Sequence, residues 1–256
     1  MVRKHMVPIS QHRRCRIRPI LYRVAIEWQG ESYDGIKPIR NLRNAQITGV
    51  APFVRHLLVT SRSPHAHVIE MLSTFQNTEN LAIWLGTGMA PKFLEKMKDL
   101  PLRMLSVGLG HVSLDEAIKY CPALRNITHL ELSVTLKVST WNDCKALVEF
   151  PKLTHLFFHN LNRATMKGAV LDLLKHCPSL RVMVYQSEEW VTRSDDPRFL
   201  VLQDFMCLDD AIEEWERSAN GRIGLWELAD IIINARKGEV HSFFYIFVFT
   251  CIPSGS

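Results

Sequence analysis

Six short strand-like segments recur along this chain at a nearly constant interval. Each runs apolar residue, two fillers, apolar residue, one filler, apolar residue. They begin at Val54, Thr78, Leu102, Ile127, Leu153 and Leu180, with Thr78 the one imperfect match. Their central residues are Leu57, Leu81, Leu105, Leu130, Leu156 and Met183, so the intervals are 24, 24, 25, 26 and 27 residues. A unit of that size holds one strand and one helix or turn and cannot bury its apolar side alone. Copies must stack and share a core. The spacing therefore predicts an α/β solenoid whose extended concave surface binds rather than catalyses.

A strand-helix period of 20 to 29 residues is the mark of a leucine-rich repeat. The segments between the strands agree with it. Ser63-Pro64 offers an N-cap and a first-turn proline ahead of Val68, Ile69, Met71, Leu72 and Phe75. Pro91 opens a short helix through Phe93, Leu94 and Met97, and Ser113-Leu114-Asp115-Glu116 is a capping box. Trp141, Leu147, Val148 and Phe150 suit another helix, and Met166, Val170, Leu173 and Leu174 suit a further one. Leu100-Pro101, Cys121-Pro122, Phe150-Pro151 and Cys177-Pro178 each stop a helix before a strand, because proline and its predecessor both resist helical continuation. Lys119-Tyr120-Cys121-Pro122-Ala123-Leu124-Arg125 is close to a copy of Lys175-His176-Cys177-Pro178-Ser179-Leu180-Arg181. Leu21 to Ile26 fits the apolar template as an earlier, irregular strand. After Gln186 the period is lost. Phe199 to Leu202 suits a closing strand, and Leu208, Ile212, Trp215 and Ala219 one amphipathic helix. Gly224 to Lys237 is read as another helix, ended by Gly238, and the group is expected to cap the solenoid.

Composition narrows the rest. The chain has 256 residues, 47% hydrophobic, but its longest apolar run, Phe243 to Phe249 extended to Ile252, is too short to span a bilayer. No membrane association is expected. No apolar signal segment opens the chain and no C-x-x-C pair joins the six cysteines, so an intracellular, cytoplasmic or nuclear setting is expected. Residues 1–23 hold seven basic residues and no acid, against +5 for the whole chain, so the remainder is acidic by two. A basic head suits nucleic acid or an import receptor. Without interleaved aromatics it reads better as a solvated terminus, and nucleic acid is not expected as a partner.

At this point four places resemble the leucine-rich-repeat F-box proteins expanded in mushroom-forming fungi. Arg18-Pro19-Ile20-Leu21-Tyr22-Arg23 is similar to the segment entering the first repeat, and Val54-Arg55-His56-Leu57-Leu58-Val59 to the next strand. The Cys-Pro-x-Leu-Arg junctions fit the repeats. Asp196-Pro197-Arg198-Phe199, Glu214-Trp215-Glu216, Leu225-Trp226 and Arg236 to Val240 resemble the C-terminal closure. The resemblance implies a module that holds a protein substrate on its repeats, while an F-box docks on the adaptor subunit of a cullin-RING ubiquitin ligase. No Leu-Pro-x-Glu-like F-box opening occurs in the sequence, so the cullin-RING adaptor is expected as a partner only where an F-box lies upstream. The family's Asn or Cys after each strand is also missing: Arg62, Gly86, Gly110, Thr135, Leu161 and Glu188 stand there. The organisation expected is a basic segment at 1–19 read as an F-box remnant, a solenoid of about six repeats at 20–187, an irregular helical cap at 188–240 and an apolar tail at 241–256 read as a gene-model artefact.

In this register the strand fillers form columns about 4.8 Å apart. One column is His56, Asn80, Met104, His129, His155 and Val182. The next is Leu58, Ala82, Ser106, Glu131, Phe157 and Val184, and beyond it lie Thr60, Trp84, Gly108, Ser133, His159 and Gln186. Trp84, His129, Glu131, His155, Phe157 and His159 are the candidate partner-binding patch, since aromatics flanked by polar groups anchor partners. Burial of Trp84 and Phe157 under another segment is the competing expectation. His and Glu are zinc ligands, but fillers fan out on a flat face, so no metal is expected. Gly86-Thr87-Gly88 and Gly108-Leu109-Gly110 complete no phosphate-binding motif and read as turns. His65-Ala66-His67 reads as surface, Asp195-Asp196 and Asp209-Asp210 as helix-start charge, and Cys121 and Cys177 as buried small residues. No catalytic residue and no cofactor is expected. The leading expectation is a protein-recognition module, then a free-standing binding or scaffold protein without ligase contact, and third a small enzyme.

Overall fold

The structure, a computed structural model, describes residues 22–27, 47–60, 64–85, 90–108, 110, 112–133, 144–159, 163–186, 196–202 and 208–237. In chain order these form β1 (Val24–Glu27), α1 (Ile47–Val50), β2 (His56–Thr60), α2 (His65–Thr74), β3 (Asn80–Trp84), α3 (Pro91–Met97), β4 (Met104–Gly108), α4 (Leu114–Tyr120), β5 (His129–Ser133), β6 (His155–His159), α5 (Arg163–His176), β7 (Val182–Gln186), β8 (Phe199–Leu202), α6 (Leu208–Ala219) and α7 (Leu225–Arg236). Short 3-10 turns occupy Ala51–Phe53, Pro122–Asn126 and Lys145–Glu149. None of the described helices is long and apolar enough to cross a membrane.

The eight strands form one parallel sheet in the order β1 to β8, each beside its chain neighbour. Alternating strands and helices in that order are compatible with a repeat solenoid. Leu57 pairs with Leu81, Leu81 with Leu105, Leu105 with Leu130, Leu130 with Leu156 and Leu156 with Met183, so the central residues stand in one row. One backbone device fixes the row at each strand start. The carbonyl of Arg23 accepts from both Arg55 N and His56 N, at 2.9 and 3.0 Å, and Arg55, Glu79, Arg103, Thr128 and Thr154 repeat the pattern. A single oxygen serving two amides uses both lone pairs and sets the stagger between successive repeats.

One face of the sheet carries the template residues. Leu57, Leu81, Leu105, Leu130, Leu156 and Met183 are buried there with Val68, Met71 and Leu72 of α2, Phe93, Leu94 and Met97 of α3, and Leu173 and Leu174 of α5. Each such side chain contributes roughly 1.5–3 kcal/mol by leaving water. The imperfect template residue, Thr78, is fully buried because its Oγ1 donates to the Phe75 carbonyl at 2.7 Å. Cys121 and Cys177 are buried in the same core, and burial pushes the Cys121 thiol up to about 11. Ser113 forms the expected capping box with Glu116. Gly110 turns the chain with φ of 59°, a conformation that favours glycine.

Several expectations need correction. Pro64 has extended ψ of 143°, so it stands outside α2 as its cap rather than within the first turn. The stretch ending at Phe150 is a five-residue 3-10 turn, the form that short helical links commonly take, before Pro151. Trp141 lies outside the described residues. His67 is not a surface residue: its side chain is 14% exposed and sits 3.5 Å from the buried carboxylate of Glu27. Asp196 starts no helix and instead grips Arg198 through both carboxylate oxygens, at 3.0 and 2.8 Å.

An end cap describes the C-terminal helices too narrowly. α6 and α7 lie across the filler face of the sheet. Ile212, Trp215 and Ala219 of α6 pack on Ile26, Leu58 and Ala82 of β1 to β3. Trp226, Ala229 and Ile233 of α7 pack on Phe157, Val182, Val184 and Leu200 of β6 to β8. The sheet is thus covered on both faces at its two ends.

Candidate functional site

Between those two apolar contacts the filler face changes character. The column that reads Leu58, Ala82 at one end and Phe157, Val184 at the other reads Ser106, Glu131 in the middle. α6 covers the first pair and α7 the last, and a cleft opens over β3 to β5 where the two helices meet. Its walls include Asn80, Ser106, His129 and Glu131 from the sheet, Glu214 and Trp215 from α6, and Trp226 from α7. The cavity of ≈ 20 Å³ has room for about one water molecule.

The histidines beside the cleft are held in repeat-equivalent fashion. Thr128 Oγ1 lies 2.8 Å from His129 Nδ1, and Thr154 Oγ1 lies 2.8 Å from His155 Nδ1. The two rings stack with centroids 4.1 Å apart and planes 10° from parallel, because their strands are neighbours in register. Trp226 meets both rings edge-on, at 5.3 and 5.6 Å. Burial, with His155 and Arg181 adding repulsion, lowers His129 to about 3. Burial also lowers His155, against the opposing pull of Asp230, whose Oδ2 is 3.2 Å from His155 Nε2.

His159 differs. Burial works against its charge, but Glu131 pairs with Nε2 and Gln186 Oε1 lies 2.6 Å from Nδ1, so its affinity for a proton is raised. Two acceptors on one ring favour the imidazolium, which donates to both. Glu214 shows the opposite conflict. Burial, reinforced by Glu131 and Glu227, outweighs the Leu225 amide and Arg217 and pushes its carboxyl up to about 7. Glu214 Oε1 accepts from Leu225 N at 2.5 Å, and Glu227 Oε2 accepts from Gly224 N at 3.0 Å. Two carboxylates therefore cap the start of α7, where the helix dipole favours them.

The structure links five of the six candidate residues: His129, His155 and Phe157 meet Trp226, His159 lies against Phe157, and Glu131 pairs with His159. Trp84 stands apart beyond β4, donating from Nε1 to Ser106 Oγ at 2.7 Å. An open concave patch is not what they make. His155 and Phe157 are buried at 4% and 2% exposure, while Trp84, His129, Glu131 and His159 remain half-buried. Glu214, Trp215, Trp226 and Asp230 were not among the candidates, because helical periodicity marks them only as parts of amphipathic helices. The sequence signal for them was the polar middle of an otherwise apolar filler column. Among the described residues no three His, Cys, Asp or Glu side chains converge to hold a metal ion. No protein-family model matches this chain, and no curated protein matches it.

Proposed function

We propose that the chain is a protein-recognition module of leucine-rich-repeat type, resembling the substrate-binding repeats of an F-box ubiquitin-ligase adaptor. The observation that supports this reading most is the half-buried polar and aromatic cleft on a sheet stiffened by both faces of helices. Recognition sites gain affinity when their polar groups are held in place before the partner arrives. Here Glu131 is fixed by His159 and His129 by Thr128.

The test is affinity capture with the wild-type chain and a Glu131→Arg variant, followed by reassembly from purified components. A protein that binds the wild type and not the variant supports recognition at the cleft. Binding of purified cullin-RING adaptor by the chain supports the ligase role. Its absence, with another partner still bound, favours the second reading, a free-standing binding or scaffold protein. That reading draws support from α6 and α7, which use the filler face for the chain's own packing. A hydrolytic or transfer activity that is lost in His155→Gln with the fold intact would point to an enzyme instead.

A further inference from the structure

On the face opposite the cleft, one acid lies where the sheet is otherwise apolar. Strand side chains alternate, so Glu27 shares the face of Ala25 rather than that of Ile26 and stands beside Val59 in the layer under the outer helices. Its side chain is 1% exposed, and neither carboxylate oxygen has a hydrogen-bond partner among the described residues. Buried charges in proteins are paired or coordinate a metal ion. The group that faces Glu27 is His67 of α2, whose backbone N–H is fixed on the Pro64 carbonyl at 2.9 Å. His67 Nε2 is also buried without a hydrogen-bond partner, and it lies 3.5 Å from Glu27 Oε1. Two orphaned atoms of opposite chemistry thus meet inside the fold.

Their separation discriminates between occupants. It exceeds the roughly 3.2 Å reach of an N–H···O hydrogen bond, and a water bridging the two at ordinary lengths would hold them about 4.6 Å apart. Two ligands of one tetrahedral zinc ion, a histidine nitrogen and a carboxylate oxygen, stand about 3.4 Å apart. The other ring nitrogen carries a second mark. Glu70 Oε2 lies 3.5 Å from His67 Nδ1, and a metal-bound histidine almost always turns its far N–H to a carboxylate, a carbonyl or water. We infer that Glu27 and His67 bind a divalent transition cation of the zinc class, with Glu70 orienting the imidazole. Glu27 brings two free oxygens and His67 one nitrogen, so two residues supply three donor atoms. Water takes the remaining position from the side on which His67 is 14% exposed. The site is not a cluster of three ligating residues, of which the described residues hold none. Imidazole with carboxylate suits zinc better than magnesium or calcium, which favour all-oxygen shells. Bound there, the cation offsets the charge of a buried carboxylate and ties β1 to α2.

The experiment titrates the full chain, first stripped of metal by a chelator, with zinc(II) in a calorimeter. Cobalt(II) in zinc's place reports the ligand set through its visible spectrum. Zinc is expected to bind the wild type, with magnesium failing to compete. Glu70→Gln should weaken binding about tenfold, and Glu27→Gln and His67→Gln should weaken it further. His65→Gln should leave it unchanged, because the His65 ring lies against Phe93. Zinc should also raise the melting temperature of the wild type but not of Glu27→Gln, since a ligand held only by the folded chain stabilises it. Glutamine removes the buried charge at nearly the same volume, so Glu27→Gln is expected to fold; circular dichroism checks this, and His67→Gln is the independent arm. Three results would overturn the inference. They are no zinc binding, which leaves Glu27 and His67 as an ion pair alone, an affinity unchanged in both variants, and a cobalt spectrum dominated by the thiolate band of cysteine ligation.

Discussion

At the residue scale, Gly224 is fixed by space rather than by backbone conformation. A Cβ there would lie 2.6 Å from Ser218 Cβ, 2.8 Å from Ser218 Oγ and 2.9 Å from Glu214 Oε1. Ser218 belongs to α6, so its backbone-attached carbon cannot swing aside. Gly224→Ala is expected to cost about 1–3 kcal/mol in urea unfolding. Adding Ser218→Gly should recover part of that, less the roughly 1 kcal/mol that glycine costs inside a helix. Glu214 gives a prediction with a sign. Its native pKa of about 7 exceeds its ordinary 4.5, so between those values the folded state holds the extra proton and stability falls as pH rises. Glu214→Gln keeps the acceptor for Leu225 N without the charge. It is expected to be more stable than wild type by roughly 1–3 kcal/mol at pH 8, with the difference closing toward pH 4. His129 and His56 act on the acid side. Burial, aided by Arg23, lowers His56 to about 4, and His129 lies at about 3. Below pH 6.5 the unfolded chain takes up protons that these native rings refuse, so stability is lost as pH falls. Melting curves of His129→Phe between pH 7 and 5 should decline less steeply than those of wild type.

At the element scale, β8 pairs with β7 along its length, and an arginine just before it ties its start to the end of α5. Arg198 donates from Nη2 to the Leu174 carbonyl at 2.8 Å and from Nη1 to the Leu180 carbonyl at 3.3 Å, and Asp196 orients its guanidinium. Leu174 lies in the last turn of α5, where unpaired carbonyls and the helix dipole both favour a cation. From the other side Arg236 of α7 donates to the Phe199 carbonyl at 2.8 Å. Arg198→Met is therefore expected to cost about 2–3 kcal/mol. Hydrogen exchange should rise over 199–202 and along α7 while β2 to β5 stay protected; uniform exchange over the whole sheet would contradict this. The strands themselves were legible in the sequence, because an apolar side chain at fixed intervals has one stacking solution, and the register of Leu57 through Met183 followed from it. The α6 and α7 placement was not. Ile212, Trp215 and Ala219 recur at helical spacing and show that the helix has an apolar face, but not which surface covers it. The apolar fillers Leu58, Ala82, Phe157 and Val184 pointed to a covered face, since such residues seldom stand together in water.

At the scale of the whole molecule, the sheet is a layer between two sets of helices, and its polar middle is what the second set leaves uncovered. Helices on both faces bury a parallel sheet as its near-continuous apolar strands require. β3 and β7 read that way, Asn80-Leu81-Ala82-Ile83-Trp84 and Val182-Met183-Val184-Tyr185-Gln186, whereas β5 alternates as His129-Leu130-Glu131-Leu132-Ser133. The strand with the alternating pattern is the one under the cleft. Two residues of the cleft lining, His129 and Glu131, were therefore legible in the sequence, but the helix residues over them and the depth were not, because covering depends on segments far away in sequence. The measurement that tests this most directly is thiol labelling of single cysteines placed on the filler face, read peptide by peptide so that the native cysteines do not interfere. Ala82→Cys, beneath α6, and Val184→Cys, beneath α7, should label slowly and only through unfolding, while Ser133→Cys at the uncovered middle should label fast. Rapid labelling at all three positions would show an open concave face and contradict the covering by α6 and α7.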